Sequence, residues 1–400
     1  MLFTHKLSRY SIYLTLLLLW CAHFLVDMMI GIWPVYKSFI QIDLARAGLI
    51  VAVGALIGEG SQLFFGALSD RGHYQKILIF GILIATSSAL LPYSSSEWGF
   101  FGLYLLTCIG SGAFHPTAAS LTSSLLPERR GLFMTIFVSG GSLGMAFSQI
   151  IFMQVYLSLK GHTIWLIIPT LILSVWMFLY AFPRTVPLSP TAKKTAFKDA
   201  FVFFKRKELR LLYIATLANQ SILWGLIFIL PDVLKTLGHT NWICYGGGHL
   251  CFVLGGSLMM IPGGYLADKY SARQVMLYTS TAAFIAFYIF IFWGGISIIL
   301  TLITLFVLGA GLYTMQPLAI ALGTRLEPNQ PGLVSAFLMG MVWCLSEAIG
   351  PGGVGVMSHF FEDHAPVKAL AILGSGFLIN LAATYYLSQK ENLAYSNSTP

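Results

Sequence analysis

Gly66-Ala67-Leu68-Ser69-Asp70-Arg71 and Gly264-Tyr265-Leu266-Ala267-Asp268-Lys269 are one phrase written twice, 198 residues apart. Each closes an apolar run with a glycine and ends on an aspartate followed by a base. A second pair repeats at almost the same offset: Gly110, Gly112 and His115-Pro116 return as Gly309, Gly311 and Gln316-Pro317, the glycines 199 and the prolines 201 residues apart. Self-similarity at one fixed period marks a chain built from copies of one structural unit. The chain therefore reads as two successive halves of the same design.

Composition decides the solvent of that design. Of 400 residues, 57% are hydrophobic and 10% charged, with a mean hydropathy of +0.78, whereas soluble domains carry about 25% charged residues. A soluble globular protein is excluded. A helix of about 20 apolar residues crosses a hydrocarbon core of about 30 Å. Apolar runs between polar breaks fall at 11–36, 47–67, 77–94, 98–126, 132–157 and 163–183, then at 211–234, 244–267, 274–293, 296–322, 333–359 and 369–388. The expected fold is an all-α integral membrane protein with twelve transmembrane helices in two six-helix repeats.

Placing both termini in the cytoplasm puts eighteen of the 23 basic residues on the inner side and five, Lys37, Arg46, Lys160, Lys235 and Lys368, on the outer side. That asymmetry is the one expected of inner loops. On this reading no lysine or arginine lies within a span. The formal charge of +8 is then a property of short loops, and no nucleic-acid partner is expected.

The domains follow as 1–183, a first six-helix half; 184–210, a basic cytoplasmic linker; and 211–400, a second half ending in a polar tail. The linker carries eight basic residues with Asp199 and Glu208 as its acids, and part of it suits an amphipathic helix on an anionic membrane face. The tail from 389 to 400 reads as disordered. Lys6 and Arg9 precede a run that continues without a small-residue cleavage site, so a retained first span is expected. Five cysteines, an odd number spread through apolar segments, imply no disulfide framework. With no Gly-x-x-x-x-Gly-Lys-Ser/Thr loop, neither ATP nor any other cofactor is expected.

Ionisable groups inside apolar runs are the candidates for function. His23 and Asp27 stand four residues apart and share a helix face. A carboxylate at membrane depth costs about 2.5–3.5 kcal/mol on the insertion scale, so Asp27 must face a cavity, find a partner or carry a proton. A His–Asp bond that only fixes helix packing is the structural alternative. Glu59, between Gly58 and Gly60, and Glu347, near Gly350-Pro351-Gly352-Gly353, are further proton-coupling candidates, or else hydrogen-bond across helix contacts. His115-Pro116 couples an ionisable ring to a helix kink. Asn219, Gln220, Trp224, Tyr313 and Gln316 join His115 as substrate-cavity candidates, and equally suit amide glue and aromatic filling between helices. Gly140, Gly141 and Gly144, like Gly350, Gly352, Gly353 and Gly355, permit close helix packing. No metal site stands out.

These residues together resemble the major facilitator superfamily, whose fold has two six-helix halves around a midplane cavity. Gly66, Asp70 and Arg71 match its signature loop, continued loosely by Gly72-His73-Tyr74-Gln75-Lys76. A narrower stretch, His23-Phe24-Leu25-Val26-Asp27-Met28 with Ala47-Gly48-Leu49-Ile50 and Phe114-His115-Pro116, resembles the fosmidomycin-resistance branch of drug exporters. Thr117 departs from the acid usual there, and Ser148-Gln149 from the Gly-Pro usual in antiporters. The resemblance implies a secondary active transporter working by alternating access, with proton-coupled efflux of a drug or metabolite as the leading expectation. It also implies a bacterial inner membrane. Gly66, Asp70, Arg71, Gly264, Asp268 and Lys269 would form a cytoplasmic gate, small glycines letting helices approach and the charges pairing in one state only. A proton-coupled importer remains open. An intramembrane enzyme, with His23 and Asp27 as base and orienter, is remote, so no enzyme is expected. The expected partners are a small-molecule substrate, protons and the lipid bilayer, and the expected state is a monomer.

Overall fold

The computed structural model describes residues 9–126, 129–180, 182, 201–328 and 330–388, and no strand occurs among them. Among the described residues, ten helices are long and apolar enough to cross a membrane. In the first half these are α1 (Tyr10–Phe39), α2 (Leu44–Leu68), α3 (Arg71–Tyr93) and α5 (Leu132–Ser158). The fourth expected span is α4 (Glu97–Leu125), and the sixth is the shorter α6 (Thr163–Leu179). The second half contributes α7 (Lys207–Thr236), α8 (Ile243–Lys269), α9 (Ala272–Trp293), α10 (Ile298–Leu326), α11 (Leu333–Ser358) and α12 (Ala365–Tyr385). Much of the expected linker, 183–200, lies outside the described residues, as does the tail 389–400.

Local chemistry sets the helix ends. Ser96 and Ser271 adopt extended backbone and accept from the N–H groups of Gly99 and Gln274, capping α4 and α9. Interruptions within the helices also have identifiable causes. Helix α2 tightens to a 3₁₀ turn at Glu59–Ser61, where Ser61 Oγ donates to the Gly58 carbonyl. Helix α8 kinks at Gly246, whose φ of 140° only glycine accepts readily.

The chain folds into two compact units. Of the described residues, those within 1–33 and 57–193 make up the first, and those within 34–56 and 194–400 the second. In the first, the initial turns of α1 pack on α4 and α5 around Leu18, Leu19, Val26, Ile82, Phe114 and Phe137. The approach of α1 to α5 is backbone to backbone. A Cβ on Gly140 would strike the Trp20 carbonyl, and one on Gly144 the Phe24 carbonyl. Small residues give membrane helices this packing contact. The second unit is centred on Leu212, Met276, Met315, Ala319, Phe337 and Val342.

Lys37 corrects the sequence reading, which assigned it to an outer loop. After a one-residue interruption at Gly31, α1 resumes as Ile32–Phe39 and carries Lys37 inside. Its side chain is fully buried in the second unit, ion-paired with Asp232 of α7, and its Nζ lies 4.2 Å above the Phe228 ring. A base therefore does lie within a span, tolerated because a carboxylate and an aromatic face replace its hydration. Phe64, Phe178, Ile261, Tyr278 and Ile299 stay largely exposed, as lipid-facing side chains do.

Candidate functional site

His23 and Asp27, one turn apart on α1, meet with His23 Nε2 3.4 Å from Asp27 Oδ2. The other carboxylate oxygen faces α4, where His115 Nε2 lies 3.2 Å from Asp27 Oδ1. Asp27 thus has one imidazole on each oxygen. The reverse side of each ring is also held. His23 Nδ1 donates to the Phe137 carbonyl of α5 at 2.8 Å, and its ring stacks on that of Phe137 with centroids 4.2 Å apart. His115 Nδ1 lies 3.0 Å from both the carbonyl and the hydroxyl of Ser111, one turn earlier in α4.

From Ser111 the network continues to α2. Ser111 Oγ donates to Glu59 Oε1 at 2.9 Å, and the other oxygen of Glu59 accepts from Gln62 Nε2. Because the hydroxyl proton of Ser111 goes to Glu59, its oxygen is the acceptor towards His115. The result is a continuous run from carboxylate to imidazole to hydroxyl to carboxylate across three helices of the first unit. His23 and Glu59 are buried, and Asp27 and His115 nearly so.

Missing side chains create this geometry. A Cβ on Gly141 would collide with His23 Nε2 and Asp27 Oδ2. One on Gly58 would collide with Cys108, and one on Gly112 with the Gly58 carbonyl, so these two glycines let α2 reach α4 and bring Glu59 to Ser111. Gly60 on the other flank of Glu59 has nothing within 4 Å of such an atom.

Four sequence candidates, His23, Asp27, Glu59 and His115, are therefore joined in one network. The others lie elsewhere. Glu347 is buried in α11 of the second unit, and Gln220 is buried in α7. Asn219 donates to the Leu312 carbonyl at 2.8 Å, Gln316 accepts from Trp343 Nε1 at 2.7 Å, and Tyr313 packs edge-on to Phe252. Those contacts are interhelical packing of the kind polar and aromatic groups make in membranes. Trp224 is half-buried in α7.

In the repeated loops, Asp268 pairs with Arg325 at 2.9 Å, and Lys269 Nζ lies 5.4 Å from the Tyr270 ring centre. Arg71 is exposed, and the Asp70 side chain lies outside the described residues. Among the described residues, no close helix approach occurs at Gly66 or Gly264. A Cβ on Gly66 would make an ordinary 3.8 Å contact with Pro116, and one on Gly264 would meet nothing. The loop glycine with a conformational demand is Gly72, at φ 91°.

Ser111, Gln62, Lys37 and Asp232 are not among the sequence candidates, and Gly141, expected to permit close helix packing, does so against His23 and Asp27. Ser111 precedes His115 by four residues and Gln62 follows Glu59 by three, so helical spacing alone could have found both. Lys37 and Asp232 carried no comparable signal, because their partnership spans 195 residues.

With the geometry established, comparison with known proteins gives a consistent answer. The sequence profile described as Major Facilitator Superfamily matches residues 15–351. The uncharacterized MFS-type transporter YfkF of Bacillus subtilis is 23% identical over 385 residues, covering 89% of this chain and 91% of that one. The fosmidomycin resistance protein of Escherichia coli is 21% identical, covering 87% and 86%. Among solved structures, the nucleoside transporter NupG superposes with a TM-score of 0.77 at 13% identity, covering 94% of this chain and all of that one.

Proposed function

The chain belongs to the Major Facilitator Superfamily, and we propose that it is a proton-coupled exporter of small amphipathic compounds in a bacterial inner membrane. It is a multi-pass membrane transporter of a small molecule and not an enzyme. Proton coupling, outward direction and a monomeric state are the steps we add.

The observation that carries coupling is the contrast between two carboxylates of one network. Asp27 has an imidazole on each oxygen, so cationic rings can balance its charge in place. Glu59 is buried, and its hydrogen-bond donors, Ser111 and Gln62, are neutral. An ionised carboxylate held by neutral donors at membrane depth is costly, and taking up a proton removes that cost. Glu59 is then the group whose charge changes during the cycle. A proton bound there alters which helix arrangement is favoured only if the two states hold it differently. The contact of α2 with α4 at Gly58 and Gly112 is where such a difference would be felt.

Alternating access would come from movement between the two repeats, with the Asp268–Arg325 pair as part of a cytoplasmic gate. Efflux is favoured over uptake by likeness along most of the chain to a protein named for fosmidomycin resistance.

The test is transport in proteoliposomes under an imposed pH gradient, with fosmidomycin and a panel of lipophilic cations as probes. Wild type should accumulate a probe against its gradient while protons flow the other way. Glu59→Gln should lose that accumulation yet retain exchange of probe across the membrane. Proton flow in the same direction as the probe would make the protein an importer, and unchanged coupling in Glu59→Gln would remove Glu59 from the mechanism.

A further inference from the structure

We propose that His23, Asp27 and His115 form a binding site for one divalent transition-metal ion of the zinc or nickel type. The inference does not depend on the direction or coupling of transport.

The partner of each ring fixes which nitrogen carries hydrogen. A backbone carbonyl can only accept, so His23 Nδ1, 2.8 Å from the Phe137 carbonyl, must be the donor. His115 Nδ1 donates to the Ser111 carbonyl for the same reason. In the neutral form of each ring, the remaining nitrogen, Nε2, therefore presents a lone pair. Both Nε2 atoms point at the carboxylate of Asp27, at 3.4 and 3.2 Å. Lone pairs facing carboxylate oxygens repel unless a positive centre lies between them.

Protons on both rings would supply that centre, and so would a single divalent cation. Two neutral imidazoles, one carboxylate and a divalent ion carry the same net charge as two imidazolium rings with that carboxylate. The spacing suits the ion. Metal–ligand bonds of about 2.0–2.1 Å in tetrahedral geometry separate neighbouring ligand atoms by about 3.3 Å; His23 Nε2 stands 3.4 Å from one oxygen of Asp27 and His115 Nε2 3.2 Å from the other, so a turn of the carboxylate is needed for a single oxygen to serve both. One ligand atom from each of the three residues lies within 4.8 Å of the other two, so a closing of the rings about a single carboxylate oxygen completes the face.

The outer shell is also of the kind metal sites use. Histidine ligands typically donate their second N–H to a carbonyl or carboxylate, which fixes the tautomer and orients the ring. Both histidines do so here from separate helices. Two imidazoles and one carboxylate favour zinc, nickel or cobalt over magnesium or calcium, which take oxygen ligands. Gly141 leaves the edge between His23 Nε2 and Asp27 Oδ2 uncovered by any side chain of its own, and three protein ligands leave a position for water or substrate.

Equilibrium dialysis of the purified full chain against zinc, followed by elemental analysis, measures the stoichiometry. One ion per chain is expected for wild type and for His359→Ala, an exposed histidine outside the site. Affinity should fall at least 10–100-fold in the size-conserving variant His23→Gln/His115→Gln. Cobalt bound to wild type should show the intense visible absorption of a tetrahedral site, displaced by zinc but not by magnesium, a readout that needs no variant to fold. Zinc should raise the unfolding temperature of wild type and not that of the double variant. No stoichiometric zinc in wild type, an octahedral cobalt spectrum, or equal binding by a folded double variant would each overturn the proposal.

Discussion

Lys37 and Asp232 form an ion pair within the second unit, although 195 residues separate them, and Lys37 retains no exposed side-chain surface. Removing one partner of such a pair leaves the other as an uncompensated buried charge, at a cost of about 3–5 kcal/mol, while replacing both by apolar groups of similar volume is often close to neutral. Lys37→Met should accordingly lower stability by about 3–5 kcal/mol, and Lys37→Met/Asp232→Leu should recover most of that loss. Thermal unfolding in detergent, followed by tryptophan fluorescence, measures both. A double variant no better than the single one would show that the pair does not act as a unit.

The two glycines beside Glu59 should respond oppositely to the same substitution. A methyl group on Gly58 would be forced into Cys108 of α4, and overpacking of that kind costs about 1–3 kcal/mol. Gly60 has open space and an ordinary φ, so Gly60→Ala should be neutral or stabilise by about 0.4–1 kcal/mol through the unfolded chain. Comparable losses at both positions, seen in unfolding curves, would mean that the helix contact at Gly58 is not the constraint.

Gly141→Ala places its methyl group against His23 Nε2 and Asp27 Oδ2. Stability should fall by about 1–3 kcal/mol, and zinc binding should fall with it, even though every proposed ligand is retained. Normal zinc stoichiometry and affinity in a folded Gly141→Ala protein would count against the position given to the ion.

At the repeated loop, Asp268 and Arg325 are half-exposed or more, and pairs of that kind contribute about 0–1 kcal/mol. Asp268→Asn should therefore leave the unfolding temperature nearly unchanged while slowing transport in proteoliposomes. A large stability loss with unaltered transport would make the pair structural and not a gate.

Much of the architecture was legible because membrane helices announce themselves. Apolar runs with polar breaks place the helices to within a few residues, and the doubled Gly66–Arg71 phrase identifies the repeat without any structure. His23 with Asp27 was equally readable, since four-residue spacing needs no tertiary information. The union of Asp27 with His115 and of Ser111 with Glu59 was not, because each joins different helices and depends on how closely glycines let them approach. Hydropathy misplaced Lys37 for a related reason. A charge at the end of an apolar run normally marks water, and only a distant carboxylate overrides that rule.

The division of the chain also bears on how the protein is made. Residues 34–56 leave the ribosome with the first half of the chain but belong to the unit completed by residues 194–400. Lys37 therefore enters the bilayer well before Asp232 has been synthesised, and until then its ammonium must be accommodated by lipid headgroups, by water or by the insertion machinery. A chain interrupted before α7 would leave Lys37 without the carboxylate that balances its charge in the fold.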